Sequence, residues 1–138
     1  MPDVPDRDVE ARGMDGEPIR VLIADDQPEV CSAVRLLLAH QPDVVVVGEA
    51  RDLAQALVLS AQQNPDLVLL DWELPGQEDA GALESLRALD PGVVVIALSG
   101  QPQAQRAALS AGVDGFVSKG DPPERLLAAI DALRHTAF

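Results

Sequence analysis

The chain has a single cysteine, which excludes an internal disulfide; Cys31 falls in a helical pattern and reads as a small buried hydrophobe. It has no apolar run long enough to cross a bilayer, although 47% of its residues are hydrophobic. The expectation is a soluble globular protein without membrane contact. The opening residues, MPDVPDRDVEARGMDGEP, lack the basic start and apolar middle of a signal peptide, so the expected compartment is the cytoplasm. Basic residues are few: ten Lys and Arg face 23 Asp and Glu, a formal net charge of -13. Binding a phosphate backbone takes clustered Lys and Arg, which argues against direct nucleic-acid contact by this domain. The two histidines, His40 and His135, share no metal-ligand spacing and read as surface residues. A length of 138 residues fits one domain with one core.

What is present begins at about Ile19. Residues 1–18 are acidic, rich in Pro and Gly and without apolar period, and are expected to form a disordered tail. From Ile19 the pattern changes. "IRVLIAD" is a branched apolar run suited to a strand buried on both faces, and "PEVCSAVRLLLAH" carries Val30, Val34, Leu37 and Leu38 at helical spacing. Pro28 suits the first helical turn, where its missing N–H costs nothing. The alternation repeats through "DVVVVGEA", a helix opened by Asp52, "DLVLLD", "AGALESLRAL", "GVVVIALSG", a helix over 102–111, "GFVSK" and a helix from Pro123 to about Arg134. Strands alternating with helices through short loops predict a parallel sheet covered on both faces by right-handed crossovers. Five such units allow the flavodoxin-like, doubly wound order 2-1-3-4-5, with the ligand site beyond the carboxyl ends of the strands, at the switch between the first and third.

Chemistry-bearing residues collect at those carboxyl ends. The first strand ends on Asp25 and Asp26, the third on Asp71, the fourth on Ser99 and the fifth on Lys119. Three carboxylates converging at the switch point repel one another unless a cation intervenes. Oxygen ligands without His or Cys favour a hard ion, with Mg²⁺ the first choice. A carboxylate held beside such an ion can attack phosphorus and become an aspartyl phosphate, and Asp71 is the candidate nucleophile, with Lys119 and Ser99 stabilising the transferring group's charge.

With these residues in order on a five-unit α/β pattern, the chain from about Arg20 to Leu133 resembles a receiver domain of bacterial two-component response regulators. The resemblance rests on the acidic pair Asp25 and Asp26, on Asp71 followed by Leu74, Pro75 and Gly76, on Ser99 with Gly100, on the aromatic Phe116, and on Lys119. It implies that residues 19–138 form the receiver domain and that Asp71 accepts phosphate from a histidine kinase or phosphotransfer protein. It also implies that Asp25, Asp26, Asp71 and the backbone carbonyl of Glu73 hold Mg²⁺, that Lys119 pairs with the phosphoryl oxygens, and that Ser99 and Phe116 are the switch residues. The implied role is a phosphoacceptor switch that acts on an unknown output protein, with phosphorylation-dependent homodimerisation as a further partner expectation, and not a turnover enzyme. The segment "DGFVSKGDPPERLLAAI" is similar to receivers that precede helix-turn-helix DNA-binding domains; the two expectations are a single-domain receiver and the N-terminal domain of such a regulator.

Three positions depart from the family pattern. Asp79 stands where a glycine is expected; Gly120, not proline, follows Lys119, so a trans bond is expected there; and Glu73 adds an acid two residues beyond the acceptor. Glu73 also supports an alternative, a phosphatase of the haloacid-dehalogenase type with Asp71 as nucleophile and an acid two residues on as general acid. A receiver-shaped interaction module that is never phosphorylated is the third reading. Asp52 and Asp121 read as cap or turn residues, and Arg106, with Gln103 and Gln105, as a solvated helix face.

Overall fold

The fold is described from a computed structural model, covering residues 17–76, 81–134 and 136. Among the described residues five strands and five α-helices alternate: β1 (Ile19–Ala24), α1 (Pro28–Ala39), β2 (Val44–Ala50), α2 (Leu53–Gln63), β3 (Leu67–Asp71), α3 (Gly81–Leu89), β4 (Val94–Ser99), α4 (Gln105–Ala111), β5 (Gly115–Ser118) and α5 (Pro123–Leu133). All strand pairs are parallel and the order is β2-β1-β3-β4-β5, as the alternation predicts. Among the described residues regular structure starts at Ile19; most of the expected N-terminal tail lies outside the described residues, as do His135 and Asp79.

The sheet is buried on both faces because its central strands carry no polar alternation. Every residue of β3 and β4 is buried, and side-chain period sorts the apolar residues into two layers. Ile19, Val21, Ile23, Leu67, Leu69 and Ile96 face α1 and α5 through Cys31, Val34, Leu38, Leu126 and Ile130. Leu22, Ala24, Val68, Leu70, Val95 and Ala97 face α2, α3 and α4 through Ala56, Leu83, Leu86 and Ala108. Each fully buried Leu or Ile contributes about 1.5–3 kcal/mol on removal from water, so the two layers together supply the main driving force. Cys31 sits in the first layer, and burial pushes its thiol up, in keeping with an inert role.

Local signals set the helix ends. Asp52 caps α2 by accepting from the Gln55 N–H at 2.8 Å, as its position before a helical pattern predicts. Asp121 accepts from the Ser118 N–H at 3.2 Å, a turn contact, while Pro122 holds the N-cap position of α5. The helix expected over 102–111 is divided: a 3₁₀ turn covers Pro102–Ala104 before α4 begins at Gln105. Proline at the start of that segment lacks an N–H, and the tighter i→i+3 turn is a common way to enter a helix. Gly76 takes φ +94°, and a Cβ there would lie 2.8 Å from Cβ of Leu53. The Pro-Gly brake after β3 therefore serves two needs, a left-handed turn and the close passage of the loop over the start of α2, where the Leu53 N–H donates to the Pro75 carbonyl at 3.2 Å.

Candidate functional site

Parallel strands ending in a row bring together residues distant in sequence. Asp25 follows β1, Asp71 closes β3, Ser99 closes β4 and Lys119 follows β5. The register pairs Ala24 with Leu70, so Asp25 and Asp71 leave adjacent strand ends. Asp25, Asp26 and Asp71 each present a carboxylate oxygen within 4.8 Å of the others, Asp25 and Asp71 buried and Asp26 exposed. The two buried acids are held alike: the Gln27 N–H donates to Asp25 Oδ1 and the Glu73 N–H to Asp71 Oδ1, both at 2.9 Å. In each loop the acid thus anchors the backbone two residues on, as a short Asx turn does, and its remaining oxygen is left for other partners.

Lys119 supplies the countercharge. Its Nζ lies 2.8 Å from Asp25 Oδ2 and 3.4 Å from Asp71 Oδ1, and it donates to Gln27 Oε1 at 2.7 Å. Burial alone would lower the ammonium, but contact with Asp25 and the charges of Asp25 and then Asp71 outweigh it and raise its pKa. The Asp71 carboxyl moves up to about 6, chiefly through burial, with the charge of Asp25 adding to it and the Glu73 N–H and Lys119 opposing it. Gln27 is a site residue the motif reading missed. It precedes Pro28 at the N-cap of α1, yet its side chain makes no cap and turns to Lys119 instead; an unused cap at an Asp-Asp-Gln-Pro junction is the available sequence signal.

The hydroxyl of Ser99 is engaged by Glu73, not by Asp71. Ser99 Oγ donates to Glu73 Oε2 at 2.7 Å, the Gly100 N–H donates to Glu73 Oε1 at 3.3 Å, and the Gln101 N–H donates to Ser99 Oγ at 2.9 Å. Sequence places an extra acid here but not its partner, because the contact joins the loops after β3 and β4. Phe116 is half-buried, in register with Ala97 of β4 and packed on the layer that includes Leu74 and Ala108. Trp72, next to Asp71, packs on the same layer and donates its backbone N–H to the Leu98 carbonyl at 2.7 Å. The Lys119–Gly120 bond is trans, as expected, since the described residues contain no cis peptide. His40 is exposed and its Nδ1 lies 3.0 Å from the Leu36 carbonyl, a local contact far from the acids in sequence. Arg106, Gln103 and Gln105 are exposed.

The acids fit a hard cation. Three converging carboxylates, two of them buried, face one ammonium, which leaves an excess of negative charge at the strand ends. An all-oxygen set with this surplus of negative charge suits Mg²⁺ or a similar ion better than a thiolate- or imidazole-seeking metal.

A doubly wound parallel sheet with an acidic cluster and a lysine at its switch point defines an α/β domain with its ligand site beyond the carboxyl ends of β1 and β3. The chain belongs to the response regulator receiver family: the family model described as response regulator receiver domain matches residues 21–131. It is a receiver domain of two-component signal transduction. The nitrate/nitrite response regulator protein NarL of Escherichia coli is 37% identical over 116 residues, a match that covers 83% of this chain and 54% of that protein. A putative transcriptional regulator of Pseudomonas aeruginosa is 39% identical over 117 residues, covering 83% of this chain and 56% of the relative. The chain thus spans about half the length of the curated relatives it matches. Among solved structures, the signal receiver domain of the putative response regulator NarL from Mycobacterium tuberculosis superimposes with a TM-score of 0.77 at 31% identity, covering 88% of this chain and 99% of that one. A LuxR-family response regulator from Aurantimonas gives a TM-score of 0.78 at 30% identity, with 86% of each chain covered. No helix among the described residues is long and apolar enough to cross a membrane.

Proposed function

We propose that Asp71 is the phosphoacceptor of this receiver, taking a phosphoryl group from a histidine kinase or phosphotransfer protein. The observation that supports this best is a buried carboxylate at the end of β3 with an ammonium 3.4 Å away and two further acids beside it. An Asp71 oxygen attacks phosphorus; the P–N bond to the donor's imidazole breaks, and its electron pair stays on the imidazole nitrogen, which is then protonated. Lys119 offsets the added negative charge, and Ser99 and Gly100 present an O–H and an N–H at the end of the neighbouring strand. Asp25, Asp26, Asp71 and the backbone carbonyl of Glu73 would hold Mg²⁺, whose chemistry there is to neutralise charge on the phosphoryl oxygens. Ser99 and Phe116 carry the change outward to the surface around β4, α4 and β5. The domain acts as a signalling switch, not as a turnover enzyme. In this arrangement Glu73 is turned to Ser99 and Gly100, which favours the switch over a haloacid-dehalogenase-type phosphatase with Glu73 as general acid.

The output is proposed to run through another protein or a separate DNA-binding domain, since NarL and the Pseudomonas aeruginosa relative are nearly twice as long as the matched segment. Intact-protein mass spectrometry after incubation with acetyl phosphate and Mg²⁺ tests the assignment. One base-labile phosphoryl group is expected on the native chain and none on Asp71→Asn or in a chelator control; equal uptake by native and Asp71→Asn chains overturns it.

A further inference from the structure

The loop after β3 carries its own anion into the place where the donors after β4 converge. Glu73 Oε2 takes the Ser99 hydroxyl proton at 2.7 Å and Oε1 faces the Gly100 N–H at 3.3 Å, so one carboxylate engages both donors. The hydroxyl has a single proton, and its other acceptor, the Gln101 carbonyl, lies farther off at 3.2 Å. A hydrogen bond to a charged acceptor is the stronger of the two. Ser99 is itself buried and fixed by the Gln101 N–H, so its proton cannot serve two anions at once.

We infer that the Glu73 carboxylate is a positioning residue that holds Ser99 and Gly100 in the unphosphorylated arrangement, as an internal competitor for the donors a phosphoryl group on Asp71 would use. This rests on Asp71 being the acceptor. Glu73 is exposed while Ser99 is buried, so release costs the hydroxyl a partner but lets the carboxylate regain water. The competitor therefore delays phosphorylation and favours return to the resting state without blocking either.

Length separates this role from simple charge repulsion. Glu73→Asp keeps the charge but is one methylene too short to span to Ser99, whereas Glu73→Gln keeps an acceptor oxygen at the same reach without the charge. Phosphorylation by acetyl phosphate, at Mg²⁺ concentrations saturating for each variant, is expected to speed up roughly fivefold in Glu73→Asp, the scale of one net charge-assisted hydrogen bond discounted for its exposed acceptor. Glu73→Gln is expected to lie between Glu73→Asp and the native chain. In a Ser99→Ala background the Glu73→Asp acceleration should vanish, and in the unphosphorylated protein Glu73→Asp should shift the Gly100 amide resonance. Uptake at the native rate in Glu73→Asp, or an acceleration confined to Glu73→Gln, overturns the inference and leaves charge alone as the effect. No uptake by the native chain overturns the acceptor assignment, and the inference with it; uptake blocked by Asp71→Asn but indifferent to Glu73→Asp overturns the inference alone.

Discussion

Lys119, just past β5, holds its ammonium 2.8 Å from the buried Oδ2 of Asp25, just past β1. Two strands, β3 and β4, separate these residues in the sheet, so the contact spans the mouth of the site and passes over the end of β3, where Asp71 stands. Lys119 is thus shared between Asp25 and Asp71, the proposed phosphoacceptor.

Removing the charge of Asp71 should stabilise the metal-free fold at neutral pH. Asp71 is held at about 6 against an ordinary 3.8, so between those values the folded state binds more protons than the unfolded one. Stability is therefore lost as pH rises through that window and stays lower above it. Asp71→Asn should be more stable than the native chain at pH 8 in chelator, by no more than roughly 3 kcal/mol from the size of the shift. The gap should close below about pH 4, near the ordinary aspartate value. Thermal melts across pH check this; a gap independent of pH would separate the stability change from Asp71 ionisation.

Lys119→Ala leaves two buried acids without their ammonium. A loss of about 3 kcal/mol is expected in chelator, the usual cost of breaking a buried pair from one side, and less in saturating Mg²⁺, where the ion offsets the same charges. Phosphorylation from acetyl phosphate should fall on the order of a hundredfold. Urea titrations with and without Mg²⁺ give the first result; equal losses in both would detach Lys119 from the cation site.

The fluorescence of Trp72 should respond to Mg²⁺, since this residue adjoins Asp71 and packs on the layer behind it. Asp26 is the exposed member of the acidic set, and Asp26→Ala should raise the half-saturating concentration about tenfold, the scale of a lost metal contact. A spectrum unchanged at high Mg²⁺ would count against an ion beside Asp71.

Gly76→Ala should destabilise by about 1–3 kcal/mol, because a side chain is strained in its left-handed conformation. The added Cβ also falls 2.8 Å from the Leu53 Cβ, so α2 or the loop must shift. Urea denaturation measures the loss, and a neutral result would mean that the loop relaxes without cost.

Gln27→Ala removes the neutral acceptor of Lys119 while leaving the Gln27 N–H bond to Asp25 intact. Stability should change by less than about 0.5 kcal/mol, as for an exposed side chain, with phosphorylation slowed a few-fold through looser placement of the ammonium. Stopped-flow fluorescence of Trp72 during phosphorylation reads the rate directly, and an unchanged rate would reduce Gln27 to a surface contact.

Much of the architecture was legible in residue order. The apolar runs "IRVLIA" and "LVLL" with helical patterns between them dictate a parallel sheet, because a strand buried on both faces tolerates no polar alternation and each helix must cover a face. Chain order then forces Asp25, Asp71, Ser99 and Lys119 onto one edge, and Asp52 before an apolar period marks a cap that the structure contains. Other features depended on distances between loops that are far apart in sequence. The side-chain partner of Glu73, the turn of Gln27 toward Lys119 and the preference of Lys119 for Asp25 over Asp71 are contacts across strand ends. Local pattern fixes which edge a residue occupies, through side-chain period and strand polarity. Which neighbour it then meets is decided by sub-ångström differences in packing and by competition among charges in a buried space, and only the folded chain brings those terms together.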